Sequence, residues 1–226
     1  MTFEAGELPD VSALTVGILG GTGDQGRGLA YRFARAGVPV RIGSRSAQRG
    51  VQAAAELAGA LATPSGGDNL YACGADVVVI AVPWEGHHDT VAELAPALAG
   101  KIVVDCVNPL GFDRHGAFLL DVPEGSAAQQ AAALLPGSRV CAAFHHVSAT
   151  VLADPAVERV DLDVLVLGDD RDAVAVVVAL AGRIAGLRGI AAGRLRTSRQ
   201  VEGLTANLIA VNRRYKIHAG IRITDL

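Results

Sequence analysis

Apolar and polar positions along this chain switch between two periods. Leu14 to Leu19 is a β-rich apolar run. After a glycine-rich break, Leu29, Ala30, Phe33 and Ala34 recur at helical spacing, and Val38, Val40 and Ile42 then alternate as a strand. Residues 47–58 read as a helix, with Val51, Ala54, Ala55, Leu57 and Ala58 as its apolar positions. Residues 63–68, small and glycine-rich, read as a loop, with Asp68 or Asn69 capping a short helix that ends near Gly74. Residues 76–83 are apolar without alternation, as expected of a strand covered on both faces of a parallel sheet. A helix over 85–98, a strand over 101–106, a helix over 126–135 and a strand over 139–144 follow. Beyond them come a strand over 163–167, a helix over 171–185 and a short strand over 189–192. A long helix starts at Ser198, with Val201, Leu204, Leu208 and Val211 near one face.

Five strand-then-helix steps before residue 150 predict an α/β fold with a right-handed, doubly wound parallel sheet. The remainder predicts a small C-terminal α/β segment ending in the long helix. The expected division is a tail over 1–13, a nucleotide-binding domain over 14–150 and a small C-terminal domain over 151–226. Ligands of such sheets lie beyond the carboxyl ends of the strands. Residues 20–23, 43–45, 82–84, 108–109 and 145–149 stand at those ends and should line one crevice.

The break after the first strand gives this crevice a chemistry. Gly21, Gly23 and Gly26 have GxGxxG spacing between a predicted strand and a predicted helix, within a Rossmann-type βαβ unit. Backbone N–H groups at the helix start would meet a pyrophosphate, aided by the helix dipole. At the end of the next strand, where an NAD site places Asp or Glu against the ribose 2′-OH, the chain has Gly43-Ser44-Arg45. A guanidinium pairs with a phosphate that a carboxylate would repel. The expected nucleotide is therefore NADP.

Composition narrows the setting. The 226 residues are half hydrophobic but only 4% aromatic, so aliphatic packing must build the core. Charged residues interrupt every apolar run well short of the roughly 20 residues of a spanning helix, so no membrane association is expected. Residues 1–10 are acidic and polar, unlike a secretory leader. Cys73, Cys106 and Cys141 are scattered and odd in number, which suits core thiols in a reducing cytoplasm. The net charge of −3 hides an asymmetry: residues 183–226 hold nine Lys and Arg against only Glu202 and Asp225, a local +7. Such a surface suits either an anionic small molecule or plain solvation. Nucleic acid is not expected, because no aromatic interleaving or reading motif accompanies the charge.

Few side chains offer acid–base or nucleophilic chemistry. Trp84, the sole tryptophan, follows a strand end and suits either the wall of a flat ligand site or simple packing. His145 and His146 follow another strand end, as proton donors or as structural groups. His87 and His88 are adjacent on a predicted helix and point apart, so no metal is assigned. Ser148 lacks a nucleophile elbow and Cys106 lacks a nearby basic partner, so no catalytic nucleophile is assigned. A dehydrogenase of alcohols or acids needs a placed acid–base group. A substrate that is itself a hydride carrier does not, since two rings need only stack.

Four segments then converge: Gly20-Gly21-Thr22-Gly23-Asp24-Gln25-Gly26, Gly43-Ser44-Arg45, Val82-Pro83-Trp84-Glu85, and the close from Val201-Glu202-Gly203-Leu204-Thr205 through His218-Ala219-Gly220-Ile221-Arg222-Ile223. In these the chain resembles the NADPH-dependent coenzyme F420 reductases, or F420:NADP oxidoreductases, from about residue 14 onward. The resemblance implies a cytoplasmic homodimer in which NADP and the 5-deazaflavin coenzyme F420 stack in one cleft and exchange a hydride directly. By position it implies that Gly21, Thr22, Gly23, Asp24 and Gln25 hold the pyrophosphate, and Ser44, Arg45 and Arg49 the 2′-phosphate. Val82, Trp84, His145, Val147 and Ala149 would surround the two rings, and Ala219 and Gly220 would bring the C-terminal segment to the cleft. F420 carries an anionic tail, which agrees with the basic C-terminal third. Two other readings stay open from the residues: an NADPH-dependent reductase of a small imine or ketone, and an NADPH-sensing protein without activity.

Overall fold

A computed structural model describes residues 8–57, 59 and 62–226. Residues 1–7 of the expected tail and Ala58 of the expected second helix lie outside the described residues. The chain opens with β1 (Val16–Leu19), α1 (Asp24–Arg35), β2 (Val40–Ser44), α2 (Ala47–Glu56), β3 (Ser65–Asp68), α3 (Asn69–Ala72) and β4 (Val77–Ile80). It continues through α4 (His87–Leu98), β5 (Ile102–Asp105), a hairpin of β6 (Leu110–Asp113) and β7 (Gly116–Leu119), α5 (Ala127–Leu134) and β8 (Arg139–Ala142). The last third holds α6 (Ala149–Ala153), β9 (Leu162–Gly168), α7 (Arg171–Arg183), β10 (Leu187–Gly193) and α8 (Ser198–Tyr215).

Eight strands form one sheet in the order β10-β9-β8-β5-β4-β1-β2-β3. The run from β3 to β8 is parallel throughout. β9 then pairs antiparallel with β8, Ala142 opposite Leu167, and β10 follows β9 in parallel. The architecture is Rossmann-type α/β, and its last two strands extend the same sheet rather than starting another. The chain leaves β1 toward β2 and returns to β4 on β1's other side, so the β1/β4 seam is the switch point where such folds bind ligands.

Alternate side chains of each buried strand feed opposite layers. Val77 and Val79 pack with Leu29 and Phe33 of α1 and Val177 of α7. Val78 and Ile80 pack with Val91, Leu94 and Leu98 of α4 and Val201 of α8. That explains the unbroken apolar run at 76–83.

Besides the β6–β7 hairpin and α6, which the pattern reading omits, two elements depart from it. Residues 63–68 are read as a loop, yet Ser65–Asp68 pairs with β2 as the edge strand. A strand of Ser-Gly-Gly-Asp offers no apolar signal. Its glycines are required because α2 lies directly on it: a Cβ at Gly66 would stand 2.0 Å from the Gly50 carbonyl oxygen, and one at Gly50 2.1 Å from that of Gly67. The expected helix over 85–98 starts as a tight turn over Trp84–Gly86 and becomes α-helical only at His87. Of the two expected cap candidates it is Asp68 that caps α3, accepting from the Tyr71 N–H, and Ser126 caps α5 by accepting from the Gln129 N–H.

Arg32 locks the far side of the site. It is 3% exposed, with no carboxylate in an ion pair with it among the described residues. Its guanidinium donates instead to the carbonyls of Leu152, Val157, Val151 and Asp154, at 2.8, 2.6, 2.6 and 3.0 Å. These are C-terminal carbonyls of α6 and the loop beyond it, where a cation meets the negative end of the helix.

Candidate active site

The turn from β1 into α1 is built for an anion. Gly26 permits it: a Cβ there would lie 2.7 Å from the Gly20 oxygen and 2.8 Å from the Gly21 Cα, so any side chain would push the helix off the turn. Gly23 caps α1 without a side-chain hydrogen bond, leaving the first-turn N–H groups of Asp24 and Gln25 to the cleft. A cleft of about 640 Å³ opens there, lined by Gly20, Thr22, Gly23, Asp24, Gln25, Ser44, Arg45, Arg49, Asn69, Val82, Pro83, Glu85 and Thr90, among others. Its size suits a drug- to cofactor-sized ligand, roughly 300–1,000 Å³. Gly21 lies beneath the turn, where a Cβ would meet Ile42 at 2.9 Å.

Ser44 is buried at the end of β2, and its hydroxyl accepts from Thr22 Oγ1 at 3.4 Å. Arg45 and Arg49 stand exposed at the rim. Neither has a hydrogen-bonding or ion-pair partner among the described residues. Two unneutralised guanidiniums with no carboxylate at the strand end suit a phosphate monoester.

A second depression, of about 250 Å³, adjoins the first at Gln25. Its walls are Gln25, Asn108, the run His145-His146-Val147-Ser148-Ala149, Ala219, and Thr205, Leu208, Ile209 and Asn212 of α8. The chain reaches it through Phe144, which holds φ at 65°. Such a conformation costs a bulky residue about 1–3 kcal/mol and persists only where its surroundings impose it. Here the Phe144 ring packs edge-on against Phe33 at 6.1 Å, and its carbonyl accepts from Gln25 Nε2 at 3.2 Å. The next carbonyl, of His145, accepts from Asn108 Nδ2 at 2.8 Å and from Thr205 Oγ1 at 3.0 Å.

Four buried atoms beside this depression make no close hydrogen bond among the described residues: Asn108 Oδ1, both ring nitrogens of His145, which face the Cys106 and Val107 backbone, and Nδ1 of His146. Buried polar atoms are otherwise almost always paired, so these four stand out in the wall of the depression. Burial holds both imidazoles neutral. It pushes His145 down to about 4, against a smaller opposing pull from Asp105, and pushes His146 down to about 4 as well, helped by His145. Neither is a proton-charged acid at neutral pH.

The structure thus gathers Thr22 to Gln25, Ser44, Arg45, Arg49 and Val82 in one cleft, and His145, Val147, Ala149 and Ala219 in its neighbour. Trp84 lies outside both linings, partly buried against the core behind the Val82–Gly86 turn. Gly220 also lies outside: a Cβ there would meet Leu162 at 2.9 Å, while the Ala219 N–H donates to Asn212. Asn69, whose Oδ1 accepts from the Gly20 N–H, escaped the sequence reading. So did Thr205, Ile209 and Asn212. With Leu208 they fall at i, i+3, i+4 and i+7, a helical face with polar ends that the sequence displays but the expected apolar stripe passed over.

The basic C-terminal segment is neutralised in part within the fold. Arg188 pairs with Asp163, Arg194 with Asp169, Arg199 with Asp121, and Arg222 with Asp161 and Asp163. These four acids from earlier in the chain offset only part of the local +7, and Arg183, Arg196, Arg213, Arg214 and Lys216 stand outside those ion pairs. All three cysteines are buried and free, and burial pushes Cys73 up to about 11 and Cys141 to about 12, out of reach of thiolate chemistry.

Residues 15–109 match the family model described as NADP oxidoreductase, coenzyme F420-dependent. The F420-dependent NADP reductase of Methanothermobacter thermautotrophicus is 41% identical, over 96% of this chain and 97% of its own. That of Methanocaldococcus jannaschii is 40% identical, over 94% of this chain and 99% of its own. A solved structure of a candidate F420-dependent NADP reductase from Arthrobacter sp. FB24 aligns with a TM-score of 0.78 at 26% identity, over 94% of this chain and 100% of its own. With such identity across nearly its whole length, this chain belongs to the family of F420-dependent NADP reductases.

Proposed function

We propose that NADP(H) lies across the turn after β1, with its pyrophosphate at the N–H groups of Thr22 to Gln25 and its 2′-phosphate at Ser44, Arg45 and Arg49. Coenzyme F420 occupies the adjoining depression. The chain is an NADP-dependent oxidoreductase that moves a hydride between NADP(H) and F420. Bound together, the two coenzymes supply the hydride donor and acceptor carbons, so the protein's task is to bind, align and exclude water.

The observation that carries this reading is the joined pair of depressions. One has phosphate chemistry, the other is walled by the Asn108 and His145–Ala149 strand ends and one face of α8, and Gln25 is common to both. Gln25 also ties the two walls together through the Phe144 carbonyl. Val82 stands on the nucleotide side, and Val147, Ala149 and Ala219 offer small apolar contacts on the other. Trp84 acts from behind the wall, and Gly220 lets the C-terminal segment pack closely on Leu162. A homodimer in the cytoplasm completes the reading. The exposed Phe112, Phe118, Tyr215 and Ile217 offer apolar surface to a second copy, and free cysteines suit a reducing compartment.

Purified protein mixed with NADPH and F420 should bleach the deazaflavin absorbance. In that assay, His145→Gln should lower turnover by less than the roughly 10²–10⁴-fold that a general acid–base group supplies. A collapse of that size, with folding and both affinities intact, would favour reduction of an imine or ketone instead.

A further inference from the structure

Behind the cleft wall lies a buried ion pair to which the hydride exchange assigns no part. His87 and Asp105 are both wholly buried, with Nε2 and Oδ2 2.6 Å apart. The other Asp105 oxygen accepts from the Val107 N–H at 2.9 Å. His87 Nδ1 lies 2.9 Å from Gln130 Oε1, and Gln130 Nε2 donates to Glu124 at 3.2 Å. That last contact fixes which way the Gln130 amide points, because a flipped amide would set its oxygen against a carboxylate. His87 therefore faces an acceptor on each side, and only an imidazolium donates from both nitrogens. Its ring lies 5.5 Å from that of Trp84, at a tilt of 30°. A cation within about 6 Å of an indole centroid is attracted to it.

We propose that His87 is a positioning residue, held as an imidazolium, that binds the Trp84 turn at the end of β4 to the Asp105–Asn108 turn at the end of β5. The first turn presents Val82, Pro83 and Glu85 to the nucleotide cleft. The second presents Asn108, which holds the His145 carbonyl of the adjoining depression. One buried contact thus sets the spacing of both walls.

The groups facing His87 agree. Asp105 comes from β5, Gln130 from α5, Glu124 from just before α5, and the buried Glu202 from α8. On α4 itself, His88 and Asp89 are exposed and pair with each other. Burial opposes the charge on His87, but the charge and hydrogen bond of Asp105, with Gln130 and Glu202, outweigh it, so His87 titrates above the usual 6.5. The imidazolium contact is complete below 6.5 and is lost as pH rises through the higher folded value.

Trp84 is the only tryptophan in the chain, so indole emission reports this turn, and His87→Gln separates the His87 titration from that of Glu202, whose burial pushes it up to about 7. A charged imidazole quenches indole emission, and a neutral one does so far less. Emission of the full-length protein should rise in one step as pH is raised above 6.5. His87→Gln should lose the step, and Asp105→Asn should move it to lower pH. In His87→Gln, kcat should fall by a larger factor than KM for NADPH rises, because the wall at Val82–Glu85 shifts while the Thr22–Gln25 and Arg45 contacts are untouched. This kinetic arm rests on the proposed NADP–F420 reading, whereas the emission arm contains no substrate, so the two fail separately. A step that persists in folded His87→Gln, or a folded parent protein with no step, overturns the proposal. If His87→Gln does not fold, an unshifted step in Asp105→Asn overturns it.

Discussion

Arg45→Ala should bind NADPH roughly ten- to a hundredfold more weakly than the parent protein and NADH almost equally well, the loss expected for one charge-assisted hydrogen-bonded contact. The reason lies at the end of β2. Ser44 is buried there and bonded to Thr22, so the strand end carries a hydroxyl where a carboxylate would repel a 2′-phosphate. Arg45 and Arg49 stand beyond it at the rim of the same cleft. Arg49 remains in the variant, which keeps the loss finite, and removing both arginines should leave little discrimination between the nucleotides. Fluorescence titration with each nucleotide measures the difference. Equal losses for both would remove the 2′-phosphate from this position.

Arg32→Met should cost about 3 kcal/mol of stability, because it strips a charged partner from one buried and three part-buried carbonyls at once. In a chain of this size that corresponds to a fall in melting temperature on the order of 10 °C. Arg32→Lys should lie between, since an ammonium keeps the charge but lacks the planar fork that reaches several carbonyls together. The effect should spread to the site, because α6 begins at Ala149, at the edge of the second depression. Thermal unfolding by circular dichroism reads the stability. A loss in Arg32→Met below about 1 kcal/mol would mean that water replaces the guanidinium at those carbonyls.

The sequence carries the fold where burial leaves a period or a run. The strands of the parallel sheet are legible because one covered on two faces has no polar positions to interrupt it. The edge strand β3 is not, because α2 packs so closely on it that glycines replace the apolar residues. The β6–β7 hairpin escapes for a related reason, with Phe112 and Phe118 exposed rather than turned to the core. Half of the site is legible, since phosphate binding lives in a short contiguous motif and a strand end. The adjoining depression is legible only in part: strand ends place residues 108–109 and 145–149 there, whereas no local spacing connects them to the face of α8 that walls it. His87 is hidden most completely. It sits beside an exposed histidine, and its burial comes from Asp105 and Gln130, which only the fold brings together.

The central claim is that hydride passes directly between the two coenzymes, with no protein group exchanging it. NADPH carrying deuterium at the transferring C4 position tests this. With purified protein and F420 in ordinary water, the label should be recovered at C5 of the reduced deazaflavin, undiluted by solvent hydrogen. Bleaching of F420 with solvent hydrogen at C5 instead, or no bleaching at all despite tight NADPH binding, would contradict the account.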